Sequence, residues 1–163
     1  MKKPFVKAIG SASLAIVMLA GFAHVWASAQ GQSINDQGLV GSWNLQVTIR
    51  DCQTGMALVT FAGMETYNQG GTMQQTAIPG PGVNALPGHG VWSHQTGGRY
   101  SGAFQSFGLN PDPALIGRLI VRSAISLSRD GNSYTSTDTA EVLNLNGDLL
   151  DRACSTTLAT RFE

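Results

Sequence analysis

Lysine is missing from this sequence after residue 7. Charged residues of both signs make up only 12% of its 163 residues, about half the usual share. From residue 30 onward, seven arginines face ten carboxylates. That mildly acidic balance excludes the basic footprint of a nucleic-acid partner. There are only two cysteines, Cys52 and Cys154. Neither has another cysteine close by or a histidine at ligand spacing, so no metal site is expected. Beyond the first thirty residues, no stretch keeps a helical period for more than about two turns, which argues against a helical domain. The sequence contains no G-x-S-x-G elbow, no P-loop and no H-E-x-x-H. "GPGVNA" (80–85) loosely imitates G-x-G-x-x-A, but prolines flank it and no strand-to-helix step surrounds it, so a dinucleotide site is rejected. No cofactor is expected.

The chain opens on a basic segment, "MKKPFVK", followed by a mostly apolar run, "AIGSASLAIVMLAGFAHVW". "ASAQ" then sets Ala27 and Ala29 in the A-x-A pattern cut by signal peptidases. The reading is a signal peptide over 1–29 and one domain over 30–163. The alternative is an uncleaved anchor, because the apolar run approaches the length of a span. Cleavage implies an exported protein, periplasmic or extracellular, with no membrane attachment afterwards. In an oxidising compartment two cysteines most simply form one disulfide, Cys52–Cys154, with free thiols or half of a metal site as the alternatives.

The domain is rich in Gly, Ser, Thr, Asn and Gln, and it is punctuated by tight turn signals. "DCQTG" (51–55), "NQGG" (68–71), "TGG" (96–98), "RDGN" (129–132) and "LNG" (145–147) separate β-branched, alternating stretches. Eight strands are predicted, over 42–51, 56–67, 71–78, 89–95, 99–108, 117–128, 133–144 and 148–162. "NPDPALIG" (110–117) has room for one helical turn. Eight consecutive antiparallel strands imply an all-β up-and-down barrel or a sandwich. The connections over 79–88 and 108–116 are long and fall at one end, while tight hairpins fall at the other. This is the layout of a barrel with a mouth.

The stretch "GSWNLQVTIRDC" (41–52) alternates strictly: Trp43, Leu45, Val47 and Ile49 are apolar, and the residues between them are polar. Placing Cys52 opposite Cys154 closes the barrel through the first and last strands. That register sets Leu45 opposite Arg161 and Trp43 opposite Glu163, with Arg161 facing inward on the diagonal from Trp43. Gly41, Trp43 and Arg161 together resemble the calycin signature, best known in lipocalins. In that group an arginine of the last strand packs across the tryptophan of a Gly-x-Trp and closes the barrel base. The chain is also similar to small exported bacterial lipocalin-like proteins, through "GGT", "PGHGVW" and "DGNSYTSTDTAEV". A clear T-D-Y motif is absent. The resemblance implies a lipocalin-like barrel and structural roles for Trp43 and Arg161. It implies no reaction.

Candidate site residues follow from strand parity. His89 lies after the long connection and His94 lies five residues on, so a regular strand puts them on opposite faces and a shared metal is not expected. For His89 the options are a loop-anchoring hydrogen bond, ligand contact or catalysis. Glu65 and Tyr67 share one face of their strand, and Asp138 shares a face with Tyr134 and Val142. Facing the lumen, such carboxylates would have raised pKa values; facing solvent, the commoner case, they would do nothing unusual. Arg118 and Arg122 share a face and would suit a carboxylate ligand if they pointed inward. Met56, Phe61, Met64, Trp92, Tyr100, Phe104 and Phe107 are expected in the core or barrel lining, although Phe104 and Phe107 differ in parity.

The leading functional expectation is non-catalytic binding of a small apolar or amphipathic molecule in the lumen. His89, Trp92, Phe104 and Arg118 are the ligand-contact candidates. The alternatives are an isomerase- or cyclase-type barrel enzyme using Glu65, Tyr67, His89 and Arg118, and a filled barrel with a structural or interaction role.

Overall fold

A computed structural model describes residues 38–78 and 84–162. The expected signal peptide over 1–29 and the loop residues 79–83 lie outside the described residues. The strands are β1 (Gly41–Arg50), β2 (Ala57–Tyr67), β3 (Thr72–Ala77), β4 (Asn84–Ala85), β5 (Gly88–His94), β6 (Arg99–Leu109), β7 (Leu115–Leu127), β8 (Ser133–Leu143) and β9 (Leu149–Arg161). β4 is a two-residue bridge beside β6. The other eight strands pair antiparallel in chain order, and β9 pairs back onto β1. The result is a closed, up-and-down, eight-stranded barrel, all-β as expected, and closure leaves no long unpaired edge. No helix occurs among the described residues, and the segment 110–117 holds no helical turn.

Alternation positions the side chains. Along β1, Trp43 and Leu45 are buried while Asn44 and Gln46 are exposed. β8 alternates as strictly with different chemistry: Tyr134, Ser136 and Asp138 are buried between exposed Thr135, Thr137 and Thr139. On β2 the odd positions Phe61, Glu65 and Tyr67 take the inner face. Met64 and Phe107 therefore fall outward and are exposed, and Met56, in the turn before β2, is exposed too. All three depart from the expected core because parity, not hydrophobicity, decides the face.

Three tight turns close one end of the barrel, over 68–71, 95–98 and 128–132. Their glycines Gly70, Gly71, Gly97 and Gly131 have φ between 59° and 95°, the left-handed region that glycine enters without steric cost. The other end carries 51–56, 110–114 and 144–148, together with Ile78 and residues 84–87. Its 110–114 connection is shorter than the long loop expected there. The backbone N–H of Asn110 bonds the Ala114 carbonyl at 3.0 Å, and the Asn110 side chain accepts the Ala114 N–H at 2.9 Å. This clamp extends the strands on both sides.

The β1–β9 register differs from the expected one by two residues. Trp43 stands opposite Arg161, Leu45 opposite Ala159 and Arg50 opposite Cys154. β1 ends at Arg50 because Asp51 turns the chain: its carboxylate accepts the N–H groups of Gln53 and Thr54 at 3.0 and 2.7 Å. Cys52 therefore leaves the ladder and reaches Cys154 along a diagonal, with Cα atoms 5.2 Å apart. A slip of two preserves every face, so the inward assignments of Trp43 and Arg161 stand. The disulfide joins residues 102 positions apart and is consistent with an oxidising compartment.

Arg161 lies over Trp43, its guanidinium carbon 4.2 Å from the ring centroid. Its nitrogens donate to the carbonyls of Gly131, Val40 and Gly38 at 2.8–3.0 Å. The Trp43 indole N–H donates to the Leu39 carbonyl at 3.0 Å. Beneath this plug, Tyr67, Met73, Tyr100, Ile125, Tyr134 and Ala159 fill the closed end. Gly41 has φ 132°, and a Cβ there would lie 2.6 Å from Arg161 Nη1.

Two stability outcomes follow. Gly41→Ala should cost more than about 1 kcal/mol in urea unfolding, from strain plus displacement of the guanidinium. The Cys52→Ser/Cys154→Ser double variant should keep the barrel's circular dichroism but unfold at lower urea, losing about 2–5 kcal/mol.

Candidate functional site

Above the aromatic floor lies a lumen cavity of about 250 Å³. Its apolar wall comes from Leu45, Val47, Ile49, Phe61, Phe104, Leu119 and Val121. Its polar groups are Glu65, Gln75, Ser106, Ser123, Asp138, Ser155 and Thr157. A second chamber of about 240 Å³ lies at the mouth and shares Ala85, Ser106 and Leu119 with the first. Exposed apolar side chains flank this end, among them Met56, Leu58, Ile78, Leu115, Leu145 and Leu150.

Two buried carboxylates face the cavity. Glu65 sits on β2 beside Trp43 of β1 and Gln75 of β3. Its Oε2 accepts the hydroxyls of both Tyr67 and Tyr134 at 2.5 Å. Tyr134 arrives from β8 across the barrel, edge-on to Trp43 with ring centroids 4.9 Å apart. Burial pushes the Glu65 carboxyl above its ordinary range, the two phenol bonds oppose that shift, and the neighbouring Asp138 charge adds to it. Both phenols are also pushed up, first by burial and then by the Glu65 charge.

Asp138 is 5% exposed and stands between Ser123 of β7 and Ser155 of β9. Its Oδ1 accepts the Ser136 hydroxyl at 2.7 Å. Its Oδ2 accepts those of Ser155 and Thr157 at 3.1 and 3.0 Å. The site thus holds two carboxylates in different settings, one against aromatic phenols and one in a cradle of aliphatic hydroxyls.

The sequence-selected residues are distributed unevenly around this cavity. Glu65 lines it and Tyr67 bonds to it from the floor; both face inward and are buried, where solvent exposure was the commoner expectation. Phe104 lines the wall. Trp92 faces inward lower down, donating to the Asn68 carbonyl at 3.0 Å and packing edge-on to Tyr67. His89 is exposed, on the face of β5 that alternates with buried Gly88. His94 lies at the closed rim against Tyr100, with Nε2 2.6 Å from the Gly97 carbonyl oxygen. Arg118 and Arg122 alternate with the lumen residues Leu119, Val121 and Ser123, so they take the outer positions of β7. Arg122 pairs with Glu141 at 3.1 Å, and Arg118 borders the mouth chamber.

Tyr134, Ser106, Ser136, Ser155 and Thr157 were not selected from the sequence. The available signal was the alternation in "SYTSTDTAEV" and "ACSTTLAT", where a small polar residue recurs at every second position. Among the described residues, no group of three or more His, Cys, Asp or Glu is placed to hold a metal ion. No protein-family model matches the chain, and no curated protein matches it. The likeness to calycin-type barrels is one of architecture: eight strands, closed, antiparallel, in chain order.

Glu65 makes stability depend on pH. Its folded pKa is raised, so between about pH 4.3, the unfolded value, and that raised value the native state holds a proton that the unfolded chain has lost. This contribution is full below the window and is lost as pH rises through it. The stability of the wild type relative to Glu65→Gln should therefore fall as pH rises from about 4.3 through the raised folded value, by at most about 1.4 kcal/mol per unit. Urea unfolding of both proteins across that range checks it.

Proposed function

We propose that this protein is an exported, lipocalin-like carrier that holds a small, largely apolar molecule in its lumen without converting it. The observation that carries this reading is the lumen cavity of about 250 Å³, apolar on most of its wall. Concave, mostly apolar sites with a few convergent polar groups are the common form of small-molecule sites. The adjoining mouth chamber and its exposed apolar flanks support access for such a molecule from that end. The polar handle is acidic and deep rather than basic and at the rim: Glu65 and Asp138 take the part expected of His89 and Arg118. A lumen with this much free volume counts against the filled-barrel alternative.

One observation favours a second reading, proton-transfer catalysis on the same barrel. Glu65 is a buried carboxyl of raised pKa with phenols fixed on one oxygen, the setting in which a general acid or base works near neutral pH. Solvent deuterium entering a carbon position of a held molecule, and failing to enter it with Glu65→Gln, would favour catalysis over holding.

Methyl NMR of the protein titrated with 2-phenylethanol tests the carrier reading. Saturable shifts should concentrate on Leu45, Val47, Leu119 and Val121, and they should vanish in Ala140→Phe, which places a ring in the cavity. Shifts that are absent, or that survive in Ala140→Phe, would sink it.

A further inference from the structure

The lumen cavity is lined by two carboxylates and, among the described residues, by no arginine, lysine or histidine. Most of the arginines are engaged elsewhere. Arg50 donates outside to Thr156 and to the Gly55 carbonyl. Arg122 and Arg152 both meet Glu141 on the outer wall. Arg161 is held by backbone carbonyls over Trp43. Arg99 and Arg129 are exposed at the closed end, while Arg118, beside the 144–148 turn, borders the mouth chamber with its Nε buried and unpartnered, outside the lining of the lumen cavity. No lysine occurs after residue 7. Both described histidines are exposed. Buried charge is ordinarily paired, and among the described residues no cation pairs these two acids.

The acceptor inventory points the same way. A carboxylate offers roughly four lone-pair sites. Two phenols occupy part of Glu65, both on Oε2, and three hydroxyls occupy part of Asp138. Capacity remains on both. Ser106, 3% exposed, adds a hydroxyl where the lumen cavity meets the mouth chamber, apart from the carboxylates.

The size of the cavity limits the occupant. A cavity of roughly 150 Å³ admits benzene. By that scale the space of about 250 Å³ suits a molecule with on the order of ten non-hydrogen atoms.

The geometry points to a small amine as the ligand class. Its ammonium sits against Glu65 and Asp138, and its aryl or short alkyl body lies against Phe104, Leu119 and Val121. This inference rests on the carrier reading above and adds the charge of the head group to it. An ammonium supplies three donors and the missing positive charge. A hydroxyl in its place supplies one donor and no charge. A carboxylate in its place would bring further negative charge beside these two acids.

Three probes that share one body and differ in charge test this: 2-phenylethylamine, 2-phenylethanol and phenylacetate. Each is titrated calorimetrically into the protein with its disulfide intact. The amine should bind at least about tenfold more tightly than the alcohol, and phenylacetate should show no binding. Glu65→Gln and Asp138→Asn should each shrink the amine-to-alcohol ratio several-fold. That ratio is internal to each variant, so any loss of folded protein affects both probes alike, and the wild-type comparison stands without the variants. Equal affinity for amine and alcohol, or preference for phenylacetate, would overturn the amine assignment while leaving the carrier reading intact. Silence from all three would overturn both.

Discussion

The guanidinium of Arg161, over Trp43 and fastened to three backbone carbonyls, is the contact on which this barrel depends. It joins the last strand to the first where the ring of eight strands has to close. It also ties down the chain that leads into β1, through Gly38 and Val40, and the β7–β8 turn, through Gly131. One side chain thus satisfies carbonyls from two separate segments that would otherwise compete for water at the base. Gly41 is part of the same contact, because its positive φ and missing Cβ make room for the arginine.

Closure at the base sets the character of the lumen above it. With Trp43, Tyr67, Trp92, Tyr100 and Tyr134 packed edge-on or tilted into a floor, the lower barrel is full of aromatic rings. The two phenols in that floor turn their hydroxyls to Glu65, so the floor presents a hydrogen-bonded carboxyl to the cavity rather than bare hydrocarbon. Asp138, bound by hydroxyls from β8 and β9, adds a second acid. Higher up, the wall becomes apolar. An amphipathic molecule would find its polar partner deep inside and its apolar partner nearer the mouth. The charge that complements the floor would have to come from the molecule itself.

Asp138 shows why part of this site was hard to read in advance. In sequence it stands among threonines and serines, in a stretch that looks like a solvated strand. Its inner-face neighbours Ser136 and Ala140 are small, so apolar periodicity gives little sign of burial around it. What makes burial tolerable is a set of hydroxyl donors, two of them on β9 and separated from Asp138 by the β8–β9 turn. Glu65 is similar: one phenol is two residues away, but the other comes from 69 residues along the chain. His89 and Arg118 drew notice as isolated reactive types, yet a single step of parity put both on outer positions.

The sequence by itself determined the all-β class, the strands to within a few residues, the inward set of β1 and the partnership of its two cysteines. These follow from period-two alternation, from turn residues that must lie at hairpins and from an even pair of thiols, all local or combinatorially simple signals. The tertiary structure alone decided the β1–β9 register, because Cys52 lies past the end of the ladder and the disulfide runs on a diagonal. It also decided the size of the lumen and the burial of its acids. Those depend on which side chains from distant strands meet inside a closed ring, and pairing across a barrel leaves no period in the chain.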